Sequence, residues 1–228
     1  MIFNEYLIGC LFLLGIWLIL FFSDKDLRSR KEMLFVSTFT MFLGLTEPLF
    51  VPEYWSPPSL FNLNQKTGFD IESLVFAFAV GGIASALYEL IFKEKHKSLR
   101  NFKHYHLFYI ISAPVIFFSL ILLFPNFNTI YSAIISMSIL SISTIICRPD
   151  LKKKIFISGF LFLLFYFIFF LAFNFIYPNF VNDVYNFQNI SRLIILGIPI
   201  EELVYAFFFG LSWSSLYEQS FGYRLKKS

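Results

Sequence analysis

The feature that most constrains this chain is an apolar segment of 19 residues that occurs twice. Residues 71–89 read IESLVFAFAVGGIASALYE, residues 200–218 read IEELVYAFFFGLSWSSLYE, and 11 of the 19 positions are identical. About two identities are expected from composition alone. The two copies lie 129 residues apart in a chain of 228. The sequence therefore predicts two related halves, each ending on an apolar helix that begins with a carboxylate.

The composition excludes a soluble domain. Hydrophobic residues make up 57% of the chain and charged residues only 14%, which is typical of a polytopic membrane protein. Backbone groups in hydrocarbon must pair within their own segment, so the apolar runs should be helices. The sequence thus predicts an all-α protein with seven transmembrane helices, over residues 5 to 22, 33 to 51, 71 to 92, 106 to 124, 129 to 147, 154 to 176 and 193 to 219.

The basic residues predict the orientation of these helices. Of the 18 Lys and Arg residues, 16 lie in segments 23–32, 93–105 and 148–154 and in the tail from Phe221. Short cytoplasmic loops carry such an excess, so we expect the N-terminus outside the cell membrane and the C-terminus in the cytoplasm. The net charge of +3 is explained by these loops, and no nucleic-acid partner is expected.

The offset between the copies predicts how the helices are related. It maps the first helix onto the fifth, the second onto the sixth and the third onto the seventh. Odd-numbered helices cross in the same direction, so the copies should be parallel three-helix repeats, and the fourth helix restores the orientation between them. The predicted units are a first repeat (1–104), a connecting transmembrane helix (105–128) and a second repeat (129–228).

A long outer loop precedes each copy of the repeated helix. The first is rich in proline, and its Tyr54-Trp55 pair suits the headgroup level of a bilayer. Both loops are long enough to cover the outer mouth of a bundle, so each is either a lid or a plain connector.

Four carboxylates lie at the predicted outer ends of helices. Glu72, Glu201 and Glu202 fall in the first turn of the repeated helix, and Glu47 precedes Pro48 near the end of the second run. First-turn carboxylates can simply cap a helix and complement its dipole. However, the apolar run before Pro199 suggests that Glu201 and Glu202 lie below the water boundary, and buried acids in membranes are functional candidates.

The other ionisable residues are expected to have simpler roles. Glu32 lies among cytoplasmic bases, and Glu89 and Glu218 come at the inner ends of their helices; we expect all three to be solvated or interfacial. The three histidines lie in or beside the basic third loop, where we expect solvated side chains and no metal site: His96, His104 and His106.

The string Pro199-Ile200-Glu201-Glu202, followed by an apolar aromatic helix, resembles the P-x-E-E signature of the heterodimeric-type lycopene cyclases. That family consists of small three-helix membrane subunits, which in some organisms are fused into one chain, and the layout predicted above is similar to the fused forms. The first half departs from the signature with Asp70-Ile71-Glu72-Ser73, so only Glu72 carries over there.

The resemblance implies a carotenoid biosynthesis enzyme of the lycopene beta-cyclase type, an intramolecular lyase or isomerase. Such an enzyme protonates a terminal double bond of a lipophilic polyene from the bilayer, and the ring then closes and loses a proton. The reaction is redox-neutral and needs no cofactor or metal. Glu201 or Glu202 would be the acid, with Glu72 as partner or second acid and Glu47 as a further candidate. Aromatic side chains could face the cation, although packing is their simpler role: Trp55, Phe76, Phe78, Tyr205 and Phe207.

Two alternatives remain at this point. A seven-helix protein could bind or transport a lipophilic ligand without catalysis, its carboxylates serving only as caps. A related hydratase would add water to the same carbocation. Carboxylates buried in a lipophilic cavity favour an enzyme, whereas carboxylates in headgroup water favour caps.

Overall fold

The computed structural model describes residues 4–98 and 106–227, and these form a bundle of helices. In chain order the helices are α1 (Glu5–Ser23), α2 (Leu27–Met41), a 3-10 helix (Phe42–Leu49), a 3-10 turn (Leu60–Asn62), α3 (Leu63–Thr67), α4 (Ile71–Phe92), α5 (His106–Leu123), α6 (Thr129–Cys147), a 3-10 turn (Pro149–Leu151), α7 (Lys152–Ile176), α8 (Phe180–Val184), α9 (Ile200–Trp213) and α10 (Leu216–Phe221). The strands are β1 (Glu94–Ser98), β2 (Ile194–Ile195), β3 (Ile198–Pro199) and β4 (Tyr223–Lys227).

The predicted class, a helical membrane protein, agrees with these elements. Helices α1, α4 and α6 and the stretch Pro149–Ile176 are long and apolar enough to cross a membrane, and α5 contributes a shorter apolar stretch, Ile111–Leu123. The other two predicted runs are broken in the structure. The second begins as α2 and tightens into the 3-10 helix, and the last divides into α9 and α10. Seven crossings remain a prediction.

Polar side chains fix where several helices begin. Asn4 accepts a hydrogen bond from the Leu7 backbone N–H at 2.7 Å, and Asp70 accepts one from the Ser73 N–H at 2.6 Å. Such caps satisfy donors that the first turn of a helix leaves free. Asn128 caps α6 in the same way, so α1 and α6 both begin at an asparagine.

The same close contact is found in each half. Helix α4 packs against α1 and α2, and α9 packs against α6 and α7. A Cβ atom on Gly81 would lie 2.7 Å from the Cβ of Thr40, and one on Gly210 would lie 2.7 Å from the Cβ of Phe162. Glycine is required at both positions because no side chain fits there. The glycine contacts therefore match Thr40 on α2 with Phe162 on α7, which lies 122 residues later in the sequence.

The two outer loops are joined to each other. The Ser56 N–H donates to the Val184 carbonyl at 2.8 Å, and the Asn186 N–H donates to the Tyr54 carbonyl at 3.0 Å. The loops therefore form one cover over the outer end of the bundle. Tyr54 is buried beneath this cover instead of facing the lipid headgroups, as its position beside Trp55 had suggested.

The loop after α4 and the C-terminal tail also pair, which the sequence did not predict. Strand β1 runs antiparallel to β4, with His96 opposite Leu225. The pairing brings residues of the third basic loop onto the C-terminal tail, at the end of the bundle opposite the cover.

A buried ion network lies beneath this pair of strands. The Lys154 ammonium contacts Glu32 at 3.0 Å, Glu218 at 2.5 Å, and Glu89. His96 Nε2 lies 3.0 Å from a Glu32 oxygen and 3.1 Å from a Glu218 oxygen. All five residues are buried. The expectations that Glu32, Glu89 and Glu218 are solvated or interfacial and that His96 is solvated were therefore wrong.

The network has the spacing of a metal site, since one ligand atom from each of the three glutamates and His96 falls within 4.8 Å. In the structure the Lys154 ammonium contacts all three carboxyl groups directly. His104 and the side chain of His106 lie outside the described residues.

Candidate active site

A cavity of about 310 Å³ lies inside the bundle, below the cover formed by the outer loops. Its wall combines side chains from both halves and is dominated by aromatic and aliphatic groups. None of the described side chains that line it is basic. The two carboxylates on the wall are Glu47 and Glu202.

Glu202 is held by tyrosine hydroxyls. It lies in the first turn of α9 and is 7% exposed. Tyr54 donates a hydrogen bond to Oε1 at 2.6 Å, and Tyr166 donates one to Oε2 at 2.8 Å. Tyr185 interacts with the same carboxylate. Donors on both oxygens stabilise the ionised form of a carboxyl group, so this environment suits a proton acceptor.

The tyrosines from the loops remain protonated in this setting. Burial and the nearby Glu202 charge raise the pKa of Tyr54 well above its usual value of 10.0. The same two causes raise the pKa of Tyr185. Both hydroxyls therefore stay protonated across the physiological pH range, and that of Tyr54 donates to Glu202.

Glu47 has a less polar environment. It lies on the 3-10 helix directly before Pro48 and is 7% exposed. Its neighbours include the side chains of Ser73 and Trp55, and its Oε1 atom is buried without a hydrogen-bond partner. An ionised oxygen in such a position is costly, whereas a neutral carboxyl is tolerated. This environment suits a proton donor.

The other two candidate acids hold the outer loops. Glu72 Oε1 accepts from the Leu60 N–H at 2.6 Å and from Asn4 Nδ2 at 3.2 Å. Glu201 Oε1 accepts from the Ser191 N–H at 2.8 Å and from the Tyr131 hydroxyl at 2.8 Å. In both halves this carboxylate thus joins the loop before the repeated helix to the first helix of its half.

Neither Glu72 nor Glu201 lines the cavity. The structure therefore brings Glu47 and Glu202 together on one wall and places Glu72 and Glu201 outside it. The catalytic role of any of the four stays a prediction.

The candidate aromatic residues divide in the same way. Trp55, Phe76 and Tyr205 line the cavity. Phe78 instead packs on Trp17, with ring centroids 5.0 Å apart. Phe207 packs on Phe160 at 5.0 Å and on Phe208 at 5.4 Å.

The sequence did not indicate that tyrosines surround Glu202. Tyr54 was interpreted as an interfacial residue, and Tyr185 was one aromatic residue among many. Tyr166 could have been recognised from the sequence, because it carries the only hydroxyl in the run FLFLLFYFIFF. A buried hydroxyl needs a partner, and Glu202 provides it.

Comparison with known proteins supports the resemblance noted in the sequence. The family model described as lycopene cyclase matches residues 4–91 and 128–219. The matched segments leave out the region that contains α5 and coincide with most of each predicted repeat, 1–104 and 129–228. No curated protein and no solved structure matches the chain. The family model covers well over half of the residues, and the chain therefore belongs to the lycopene cyclase family.

Proposed function

We propose that this protein is an integral-membrane carotenoid cyclase that closes end rings on an acyclic carotene by acid catalysis. The observation that carries the proposal is the pair of carboxyl groups, Glu47 and Glu202, on the wall of an apolar, aromatic cavity. Family membership supports a carotenoid substrate and a cyclisation reaction. As an isomerisation, the reaction would fall in the intramolecular lyase or isomerase class.

The chemistry requires one proton donor and one proton acceptor. The donor protonates the terminal double bond, and the tertiary carbon that results becomes a cation. The electrons of a nearby alkene then form the new ring bond, and loss of a ring proton to the acceptor restores a double bond. One proton enters and one leaves, so no electrons are exchanged with an external partner.

We assign the donor role to Glu47 and the acceptor role to Glu202. The bare Oε1 of Glu47 favours a neutral carboxyl group, while the tyrosine hydroxyls on Glu202 favour a carboxylate. After ring closure the proton has moved from one carboxyl group to the other, and a return transfer resets the pair. Both groups line the same cavity, which supports this exchange.

The cavity wall suits a carbocation because its aromatic faces offer negative charge without a nucleophile. Trp55, Phe76 and Tyr205 are placed for this role. Glu72 and Glu201 would act indirectly, by fixing the outer cover whose tyrosines hold Glu202.

We also propose that all seven apolar runs cross the membrane, as parallel repeats 1–104 and 129–228 joined by the connecting helix 105–128. The distribution of Lys and Arg supports an outside N-terminus and a cytoplasmic C-terminus. The carboxyl groups of the cavity would then lie near the outer face, and the Lys154 network near the cytoplasm.

The test is expression in cells that accumulate lycopene, followed by pigment analysis. The wild-type protein should convert lycopene into ring-bearing products. Glu202→Gln and Glu47→Gln should each lower conversion by at least about 100-fold, in the range for loss of a general acid or base. Glu53→Gln is the matched control, because this outer-loop side chain is exposed and only its backbone makes the contacts seen here.

Three outcomes would contradict the proposal. Unchanged lycopene with wild-type protein would remove the cyclase function and favour the binding alternative. A hydroxylated acyclic product would instead assign a hydratase. Full activity of Glu202→Gln would keep the enzyme class but overturn the site.

A further inference from the structure

The cavity has a side opening, which we define by Phe39, Leu43, Ile111, Pro114 and Phe118. All five residues line the cavity. Phe39 is also 41% exposed, Ile111 57% and Phe118 46%, so the same side chains face both the cavity and the exterior. Of the described lining residues, those classed as exposed all lie here: Phe39, Ile111, Pro114 and Phe118. The cavity therefore reaches the surface of the bundle at this point.

The helix packing explains why the opening exists. Phe39 and Leu43 lie at the outer end of α2 and on the 3-10 helix that follows, and the other three residues lie on α5. Helix α5 packs chiefly against α6 and α10. Among the described residues it does not pack closely against α2, and this leaves a gap in the cavity wall between the two helices. Phe50 stacks on Phe117 at 6.1 Å and bridges this wall.

In the corresponding wall of the other half, the residues of α1 and α7 that line the cavity are all buried. There α7 lies beside α1, and Phe169 stacks on Phe12 with ring centroids 6.1 Å apart. A Cβ atom on Gly9 would lie 3.1 Å from the Phe173 ring. The two walls thus differ, and the open one is next to the connecting helix.

The dimensions and chemistry suggest what occupies the opening. A cavity of about 310 Å³ is at the small end of the range for ligand sites, roughly 300–1,000 Å³. An acyclic carotene is an extended hydrocarbon comparable in length with the bilayer core, about 30 Å. The cavity can hold one end group, and the rest of the molecule must leave through an apolar exit.

We propose that the side opening between α2 and α5 binds the remainder of the polyene chain while its end group lies beside Glu47 and Glu202. This inference rests on the proposed function and names the path of its substrate. Because only one end group fits, each ring closes in a separate binding event, and the chain must withdraw through the opening before the other end enters.

The test narrows the opening with Ile111→Trp. The matched control is Ile142→Trp on α6, since Ile142 is also 57% exposed but does not line the cavity. Leu43→Trp, on the opposite side of the opening, is a second variant. The purified proteins are reconstituted in liposomes with a full-length acyclic carotene or with a half-length acyclic polyene that carries the same end group.

We expect Ile111→Trp and Leu43→Trp to lower kcat/KM for the full-length carotene by about tenfold or more, as a steric mismatch in an apolar site does. The half-length polyene should react nearly as with the wild-type protein, and Ile142→Trp should behave like the wild type with both. Equal losses on both substrates, or no loss on either, would overturn the proposal. No loss is the result expected if a lipid acyl chain, and not the polyene, fills the opening.

A binding measurement separates this inference from the proposed function. Glu202→Gln protein is purified from lycopene-accumulating cells, and retained pigment is measured by its visible absorbance, with and without Ile111→Trp. Loss of pigment in the double variant supports the side opening even if the wild-type protein forms no ring. Equal retention in both overturns it even if the cyclase function stands.

Discussion

The Lys154 network makes a strong prediction about stability. Lys154 is 2% exposed and contacts three carboxylates, with His96 as the other cation in the group. Substituting Lys154→Met leaves three buried carboxyl groups with the His96 imidazolium as their remaining cation. Breaking a buried ion pair by removing one partner typically costs about 3–5 kcal/mol, so we expect the free energy of unfolding to fall by at least about this amount at pH 7.

The assay is reversible unfolding in mixed detergent micelles, followed by tryptophan fluorescence. Lys153→Met is the matched control because its side chain is exposed, and a change within about 0.5 kcal/mol is expected there. The double variant Lys154→Met/Glu218→Gln should recover part of the loss, since it removes one uncompensated charge. A loss below about 1 kcal/mol for Lys154→Met would refute the reasoning, because it would mean that the network contributes no more than a surface ion pair.

Three further predictions concern the network, the candidate site and the packing of the halves. Burial alone would lower the pKa of His96, but its hydrogen bonds to Glu218 and Glu32 and their charges raise it to about 10. Because the folded pKa lies above the unfolded value of about 6.5, the stability that His96 contributes is fully present below pH 6.5 and is lost as pH rises towards 10. In unfolding titrations at increasing pH, His96→Gln should therefore flatten the decline of the free energy of unfolding. Tyr166→Phe removes a 2.8 Å hydrogen bond to Glu202 and should lower pigment conversion by about tenfold with protein abundance unchanged, and full conversion would argue against Glu202 as acceptor. Gly210→Ala places a Cβ atom 2.7 Å from that of Phe162 and should cost about 1–3 kcal/mol of stability. The control Gly15→Ala has nothing within 4 Å of the added Cβ atom and should leave the stability unchanged. Equal effects of the two substitutions would contradict the packing argument.

The hydrophobic runs were sufficient to predict helices because hydrocarbon leaves the backbone few other conformations. Their ends were harder to predict. Asp26 starts α2 well before the apolar run, because a side-chain cap can begin a helix among charged residues. The tightening after Met41 and the break at Ser214 and Ser215 left no signal in hydropathy, which averages over whole segments.

The ion network shows the limit of reading charges by their neighbours in sequence. Glu32 and Lys154 are 122 residues apart, and each lies among other charged residues that suggested a solvated loop. Their contact depends on how α2 and α7 pack. Local sequence predicts which side of the protein faces the cytoplasm, but it could not identify the buried pair.

The candidate acids illustrate the same limit at the site. Glu201 and Glu202 are adjacent, so they point about 100° apart around α9. Only the rotation of the helix decides which one faces the cavity, and that rotation is set by the fit of Gly210 against α7. Phe76 and Phe78, and likewise Tyr205 and Phe207, are two positions apart and point to opposite sides, which explains why one member of each pair lines the cavity.

The asymmetry between the halves shows how one site could arise from a duplicated scaffold. The offset of 129 pairs Glu72 with Glu201, and both hold outer loops. The same offset pairs Glu202 with Ser73, while the offset of 122 between α2 and α7 pairs Glu47 with Phe169.

The same cavity is lined by all four residues of the last two pairs: Glu202, Ser73, Glu47 and Phe169. Each half therefore supplies one carboxyl group, and each supplies it from a different helix of the repeat. Glu72 and Glu201 occupy equivalent positions in the two copies, and each holds the loop of its own half. The proposed reaction needs a donor and an acceptor in unlike environments, and each half contains one of the two carboxyl groups that line the cavity.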